Sequence, residues 1–190
     1  MDNRTNILEC ATELFCEKGY DAVGVQEIVD RAGTTKPTLY YYFKSKYGLL
    51  ESIIEEYYGR FLGRLETASV YQGDLPNTLY TTCREYLKMA IENKTMYLFT
   101  VSLIYSAREN DSYRAIRPYM VKTHEIIVKI YEQASNELEN MNGRQQQFAS
   151  GFEGIVNFYL IYYFEIGEPR IDIDEIGKNL VDQFMYGIYS

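Results

Sequence analysis

A chain of 190 residues that is 46% apolar and 24% charged, with 13 glycines and 4 prolines, is one folded domain or two small ones, and not a disordered, collagen-like or low-complexity chain. Its 27 Asp and Glu against 19 Lys and Arg give a net charge of -8, which excludes a surface that clings to phosphate everywhere, so any nucleic-acid contact has to be local. Three cysteines without a CxxC (Cys10, Cys16, Cys83) and the single histidine His124 argue against a disulfide framework, a metal site or a bound cofactor.

The elements read as helices in chain order. Ile7, Leu8, Ala11, Leu14 and Phe15 recur at the helical period, which predicts a first helix from about Asn3 to Lys18, closed by Gly19. After the turn Gly19-Tyr20-Asp21-Ala22, the residues Val25, Ile28, Val29 and Ala32 share a face and predict a short second helix ending at Gly33. Thr34 and Thr35 offer hydroxyls to cap a third short helix, Lys36 to about Tyr42. Pro37 is tolerated in its first turn, and Thr35 is expected to take the Thr38 N–H. Leu39 and Phe43 face inward, and Ser45 is expected to cap a longer helix carrying Leu49, Leu50, Ile53, Ile54, Tyr57 and Phe61.

Beyond about Val70 the punctuation is sparse. Breaks rich in Gly, Pro, Asn and Asp leave segments near 75–92, 95–107, 112–140, 144–166 and 172–188, none of which alternates with the period of a strand. The expectation is an all-α chain of about nine helices, with Pro118 either in the first turns of the 112–140 helix or at a kink within it. No run of about 18 apolar residues or leader-like segment is present, so we expect a cytoplasmic protein with no membrane association.

The first fifty residues carry the specific motif. Two short helices joined by a tight glycine turn, behind a packing helix, form the helix-turn-helix pattern, whose second helix enters the DNA major groove only if its outer face carries polar and aromatic side chains. Between Thr34 and Leu50 there are three lysines, Lys36, Lys44 and Lys46, and no acid, although residues 1–50 hold 6 basic against 7 acidic residues. Thr34, Thr35, Lys36, Thr38, Tyr40, Tyr41 and Tyr42 supply hydroxyl and ammonium donors there, and the helix N-terminus adds its own N–H groups. Consecutive tyrosines are spaced about 100° apart on a helix, so the three cannot all be buried.

Gly19-Tyr20-Asp21-Ala22, Ile28, Ala32-Gly33 and the run TTKPTLYYYFKSKYGLL from Thr34 to Leu50 resemble the DNA-binding domain of the TetR family of transcriptional regulators over roughly residues 5–54. The resemblance implies a helix-turn-helix domain at 1–50 and a ligand-binding and dimerisation domain at 51–190. It places Thr35, Lys36, Pro37, Thr38 and Tyr41 near base edges, Tyr40, Tyr42 and Lys46 on phosphates, and Gln26 on a base or the backbone. It also implies a homodimer on a palindromic double-stranded DNA operator, most often repressing, with a small-molecule effector. Three positions depart from the family pattern. Gly24 replaces a hydroxyl cap, Pro37 replaces a smaller residue, and Tyr47-Gly48 leaves the fourth helix without a capping-box carboxylate.

Fifteen of the 20 tyrosines follow residue 50. Core packing accounts for most of this aromatic excess, but buried hydroxyls need partners, which points to a pocket for an aromatic or hydrophobic ligand. The pocket candidates are Tyr80, Cys83, Tyr86, Leu87, Met96, Tyr97, Phe99, Leu103, Tyr105, Tyr119, His124 and Tyr131. The dimer candidates form two stripes, Phe148, Phe152, Ile155, Val156, Tyr159, Tyr163 and Ile166 on one helix and Ile176, Leu180, Val181, Phe184 and Ile188 on the next. Gly151 and Gly154 offer room for close helix approach. No nucleophile–histidine–acid set, HExxH or phosphate-cradling glycine loop is present, so an enzyme is not expected. The alternative is an all-helical small-molecule-binding protein without DNA activity.

Overall fold

The computed structural model describes residues 2–138, 143–167 and 172–187. Among them are nine α-helices in the order the periodicity predicts and no strand: α1 Asn3–Lys18, α2 Val25–Arg31, α3 Lys36–Phe43, α4 Lys46–Ala68, α5 Leu75–Glu92, α6 Lys94–Ile104, α7 Asp111–Ala134, α8 Gln145–Ile166 and α9 Ile173–Tyr186. The boundaries depart most at α7, which ends at Ala134 and tightens into a 3-10 turn, Ser135–Glu137. Pro118 lies inside α7, where it withdraws the N–H that the Arg114 carbonyl would otherwise receive. None of the described helices is long and apolar enough to cross a membrane.

The described chain packs as two compact units, Met1–Arg60 with Thr95–Tyr119, and Phe61–Lys94 with Met120–Ser190. The sequence suggested a division near residue 50. By packing, the first unit extends to Arg60 and also takes in most of α6 and the start of α7.

In the first unit, Asp2 caps α1 by accepting the Thr5 N–H at 2.9 Å, and Gly19, at φ +80°, closes it with its N–H on the Phe15 carbonyl at 2.9 Å. The inward face of α1 is the expected set Ile7, Leu8, Ala11, Leu14 and Phe15. Phe15 meets Tyr20 edge-on at 5.2 Å and stacks on Phe99 at 6.4 Å, so α6 lies over this core. Ion pairs from Arg31 to Glu13 and Glu17, and from Lys18 to Glu27, tie α2 to α1 on the outside.

In the second unit, Asp74 caps α5 through the Asn77 N–H, and Asp172 caps α9 through the N–H groups of Asp174 and Glu175. These two helices pack along each other at Gly177, where a methyl group would lie 3.5 Å from the Tyr80 ring and 3.7 Å from Leu87. Helix α8 buries Ala149, Phe152, Val156, Leu160 and Tyr163. At Gly151 it leaves room for the Phe184 ring, which a methyl group would meet at 3.4 Å. Arg64 holds both Glu85 and Glu92, and Lys88 also reaches Glu85.

Candidate functional site

The outward face of α3 is the first candidate. Leu39 and Phe43 are fully or almost fully buried, which fixes the roll of this eight-residue helix. Thr35, Lys36, Pro37, Tyr40, Tyr41 and Tyr42 consequently lie exposed, Tyr41 at 71%, with Thr38 half-buried beside them. Thr35 caps the helix as expected, accepting the Thr38 N–H at 3.4 Å, and the two threonine hydroxyls are 2.9 Å apart. Tyr41 and Tyr42 meet edge-on at 5.0 Å, and the Lys44 ammonium lies 5.9 Å over the Tyr41 ring while donating to the Tyr41 carbonyl.

The helix stops abruptly because Lys44 adopts φ +64°, and the Ser45 N–H turns back to the Phe43 carbonyl at 2.7 Å. The Ser45 hydroxyl then accepts the Gly48 N–H at 2.9 Å and starts α4. Gly24, at the start of α2, gives no side-chain cap, in keeping with its lack of a hydroxyl.

Two DNA candidates are already engaged within the chain. The exposed Gln26 donates its amide N–H to Asp30 at 2.7 Å. The Lys46 ammonium is half-buried, donates to the carbonyls of Tyr20 at 2.8 Å and Val23 at 2.9 Å, and sits 4.1 Å over the Tyr20 ring. Lys46 thus holds the α1–α2 turn, leaving one N–H for anything outside; burial lowers its pKa. No residue pattern signals this, because carbonyl partners are supplied by backbone geometry.

The pocket candidates fall in both units. In the first, Met96, Tyr97, Phe99 and Leu103 are buried, Tyr119 is half-buried against Tyr58 at 5.2 Å, and Tyr105 is 79% exposed, so it lines no interior of this unit. Tyr57, on α4, has a buried hydroxyl with no hydrogen-bond partner among the described residues. In the second unit, Cys83, Tyr86, Leu87 and Tyr131 are buried, whereas Tyr80 turns outward and donates to Asp174 at 3.1 Å.

His124 sits in a polar cluster that bridges α7 and α8. Its Nδ1 lies 2.5 Å from Glu153 Oε2 and its Nε2 lies 2.7 Å from Gln146 Oε1. The Tyr86 hydroxyl reaches Glu153 Oε1 at 3.5 Å. Burial opposes the charge on His124, yet the bonds to Glu153 and Gln146 outweigh it and raise its pKa. Burial also raises Glu153, against the pull of His124. On α7, the hydroxyls of Tyr131 and Thr123 are also buried, without a partner among the described residues. Burial, and then the Glu153 charge, push the Tyr131 phenol upward. Glu153 and Gln146 were not among the sequence candidates; a lone carboxylate within the apolar run Phe148–Leu160 was the available signal.

The dimer candidates divide by burial. Phe152, Val156, Tyr163, Leu180 and Val181 are core residues of their own unit, while Ile155, Tyr159, Ile176, Phe148 and Phe184 are half-buried, the last two within a ring cluster with Tyr131 and Phe152. Ile188 lies outside the described residues. The apolar stripe that α8 leaves open is offset by part of a turn and runs through Phe158 at 71%, Tyr162 at 58% and Ile166 at 48% exposure. Periodicity alone did not separate the two stripes, because both faces of α8 are apolar.

Comparison with known proteins bears on the same regions. Residues 7–53 match the family model described as bacterial regulatory proteins, tetR family. The HTH-type transcriptional regulator YuxN of Bacillus subtilis (strain 168) is 32% identical over 133 residues; the match spans 66% of this chain and 44%, less than half, of that relative. A transcriptional regulator of the TetR/AcrR family from Thermobifida fusca YX-ER1 is similar over 100% of both chains at 26% identity and TM-score 0.70. FadR from Bacillus subtilis, solved in complex with stearoyl-CoA, shares the fold over 97% of this chain and 99% of that one, at 18% identity and TM-score 0.81. The chain thus carries, over residues 7–53, the helix-turn-helix domain described for bacterial regulatory proteins of the tetR family, and it is similar along its whole length to a regulator of the TetR/AcrR family.

Proposed function

We propose that the chain is a ligand-responsive transcriptional repressor of the cytoplasm, which binds a palindromic operator as a homodimer and is released by a small effector with an apolar or aromatic body. The observation that carries this reading is the outer face of α3. Its inward residues are consumed by the core, and what remains outside, Thr35, Lys36, Pro37, Thr38, Tyr40, Tyr41 and Tyr42, is a set of hydroxyls, rings and an ammonium without a carboxylate. A helix so dressed suits a groove lined by base edges and flanked by phosphates.

Pairing of two reading heads is supported by the exposed stripe Phe158, Tyr162 and Ile166, an apolar surface that a lone chain would leave in water. Two half-sites one helical turn apart then multiply the discrimination of one. The effector reading is supported by buried hydroxyls without partners in the ligand-domain helices, and by the stearoyl-CoA in a protein of the same fold. Helices α4 and α7 each contribute residues to both compact units. Coupling between effector and operator binding is typically about 1–3 kcal/mol, roughly 5- to 150-fold in operator affinity, and is reciprocal.

The test is selection of duplexes from a random pool by the full chain, followed by gel-shift titration of the enriched site. A palindrome bound with affinity that falls steeply with salt is expected, and Lys36→Ala or Thr38→Ala should change the preference among sites. Recovery of no preferred sequence, with small-molecule binding intact, would favour the helical binding protein without DNA activity.

A further inference from the structure

The polar cluster around Glu153 is at odds with the apolar interior that contains it. Glu153 keeps 19% of its side chain accessible and projects from the same α8 face that buries Phe152 and Val156. Its two oxygens are unequally served. Among the described residues, Oε2 is taken by His124 at 2.5 Å, whereas Oε1 has the Tyr86 hydroxyl at 3.5 Å, long for an O–H···O bond. Tyr131, 1% exposed, has a hydroxyl with no partner among the described residues, as does Thr123, 5% exposed and adjacent to His124 in sequence. Buried polar atoms left unpaired are costly, and natural interiors seldom tolerate several together. Aromatic rings complete the surroundings: Tyr131 packs with Phe148 at 5.9 Å and Phe184 at 6.5 Å, and Tyr86 meets Phe61 at 5.0 Å.

The described basic side chains that form ion pairs in this unit do so elsewhere. Arg64 and Lys88 are committed to Glu85 and Glu92, Arg84 to Asp174, and Lys122 to Glu66. Among the described residues, His124 is the cation paired with Glu153. An anionic head placed here would face a carboxylate oxygen. An ammonium would find that oxygen, and the same unit holds the Tyr131 hydroxyl and the aromatic rings, whose lone pairs and faces also suit a cation.

Resting on the ligand-responsive reading above, we propose that the second unit contains an effector site organised on Glu153 and Tyr131 whose ligand is an organic amine, its protonated nitrogen on Glu153 Oε1 and the Tyr131 hydroxyl and its apolar body among the rings. The head group distinguishes this ligand from a fatty-acyl thioester.

Three probes of one shape test it on the full-length chain: 4-phenylbutylamine, 4-phenylbutanol and 4-phenylbutyrate, measured by calorimetry and by shift of the melting temperature. The expected order is amine tighter than alcohol, and alcohol tighter than carboxylate. Glu153→Gln should weaken the amine roughly tenfold or more while leaving the alcohol nearly unchanged. Tyr131→Phe keeps the ring and removes the unpaired hydroxyl, so the ligand-free variant should melt at or above the wild type while binding the amine several-fold more weakly. A purely structural tyrosine would instead lower the melting temperature. The proposal is overturned if the carboxylate binds as tightly as the amine, if Glu153→Gln keeps full amine affinity, or if no probe binds. Release of operator by stearoyl-CoA with no response to the amine overturns the amine assignment and leaves the regulator standing. Amine binding that obeys the predicted order in a chain with no preferred duplex upholds the site and removes the regulator.

Discussion

Replacement of Lys46 by alanine separates two roles that one side chain is positioned to fill. The ammonium donates to the Tyr20 and Val23 carbonyls at 2.8 and 2.9 Å and lies 4.1 Å over the Tyr20 ring. Hydrogen bonds from charged donors contribute roughly 1.5–3 kcal/mol each. Because the ammonium is only half-buried, solvent replaces part of this, and the expected loss is about 2–3 kcal/mol in all. For a chain of 190 residues that corresponds to a fall in Tm of roughly 4–12 °C. Lys36, exposed on α3, is the control: its alanine variant should remain within about 0.5 kcal/mol of wild type. In operator titrations against salt, each variant should reduce the slope of log K against log salt by about 0.9 if its ammonium contacts one phosphate. Thermal melts followed by circular dichroism read the first effect and gel shifts the second. A Lys46→Ala chain that melts within a degree of wild type would refute the tether, whatever its DNA affinity.

Tyr41→Ala, at a side chain 71% exposed, should change the urea midpoint by less than about 0.5 kcal/mol equivalent yet weaken operator binding, whereas Leu39→Ala, fully buried on the same helix, should cost about 2–5 kcal/mol of stability. Phe158→Lys together with Tyr162→Glu should convert a dimer to a monomer in sedimentation velocity without lowering the helical content, because both side chains are more than half exposed in the single chain; a persistent dimer would place the interface elsewhere. His124, facing Glu153, Gln146 and Glu125, has a pKa raised above 6.5, so its contribution to stability is fully present below pH 6.5 and is lost as the pH rises through the raised value. Urea midpoints between pH 6 and 9 should therefore decline in wild type and decline less in His124→Phe. Glu153, also raised, adds a decline of the same sign starting near pH 4.5.

The local signals were strong where one residue sets one feature. Gly19 ends α1 because a left-handed position favours glycine, and Thr35 and Ser45 start α3 and α4 because their hydroxyls take N–H groups that no helical carbonyl can reach. The burial of Leu39 and Phe43, and with it the outward display of Tyr40, Tyr41 and Tyr42, followed from the period alone. Nothing in the local pattern distinguished the lysine that tethers a turn from the lysines that point outward, since Lys46 finds its carbonyls across more than twenty residues of chain. The same limit applies to α8, where the buried and exposed stripes are equally apolar and only packing against α5 and α9 selected Phe152 for the interior and Phe158 for water.

The helices, their caps and the face that α3 presents were thus legible in the residues alone, because each depends on interactions within a few positions. Which charges are already spent and which buried hydroxyls lack partners among the described residues, as at Lys46, Glu153 and Tyr131, emerges with packing, because pairing over long separations depends on which helices meet.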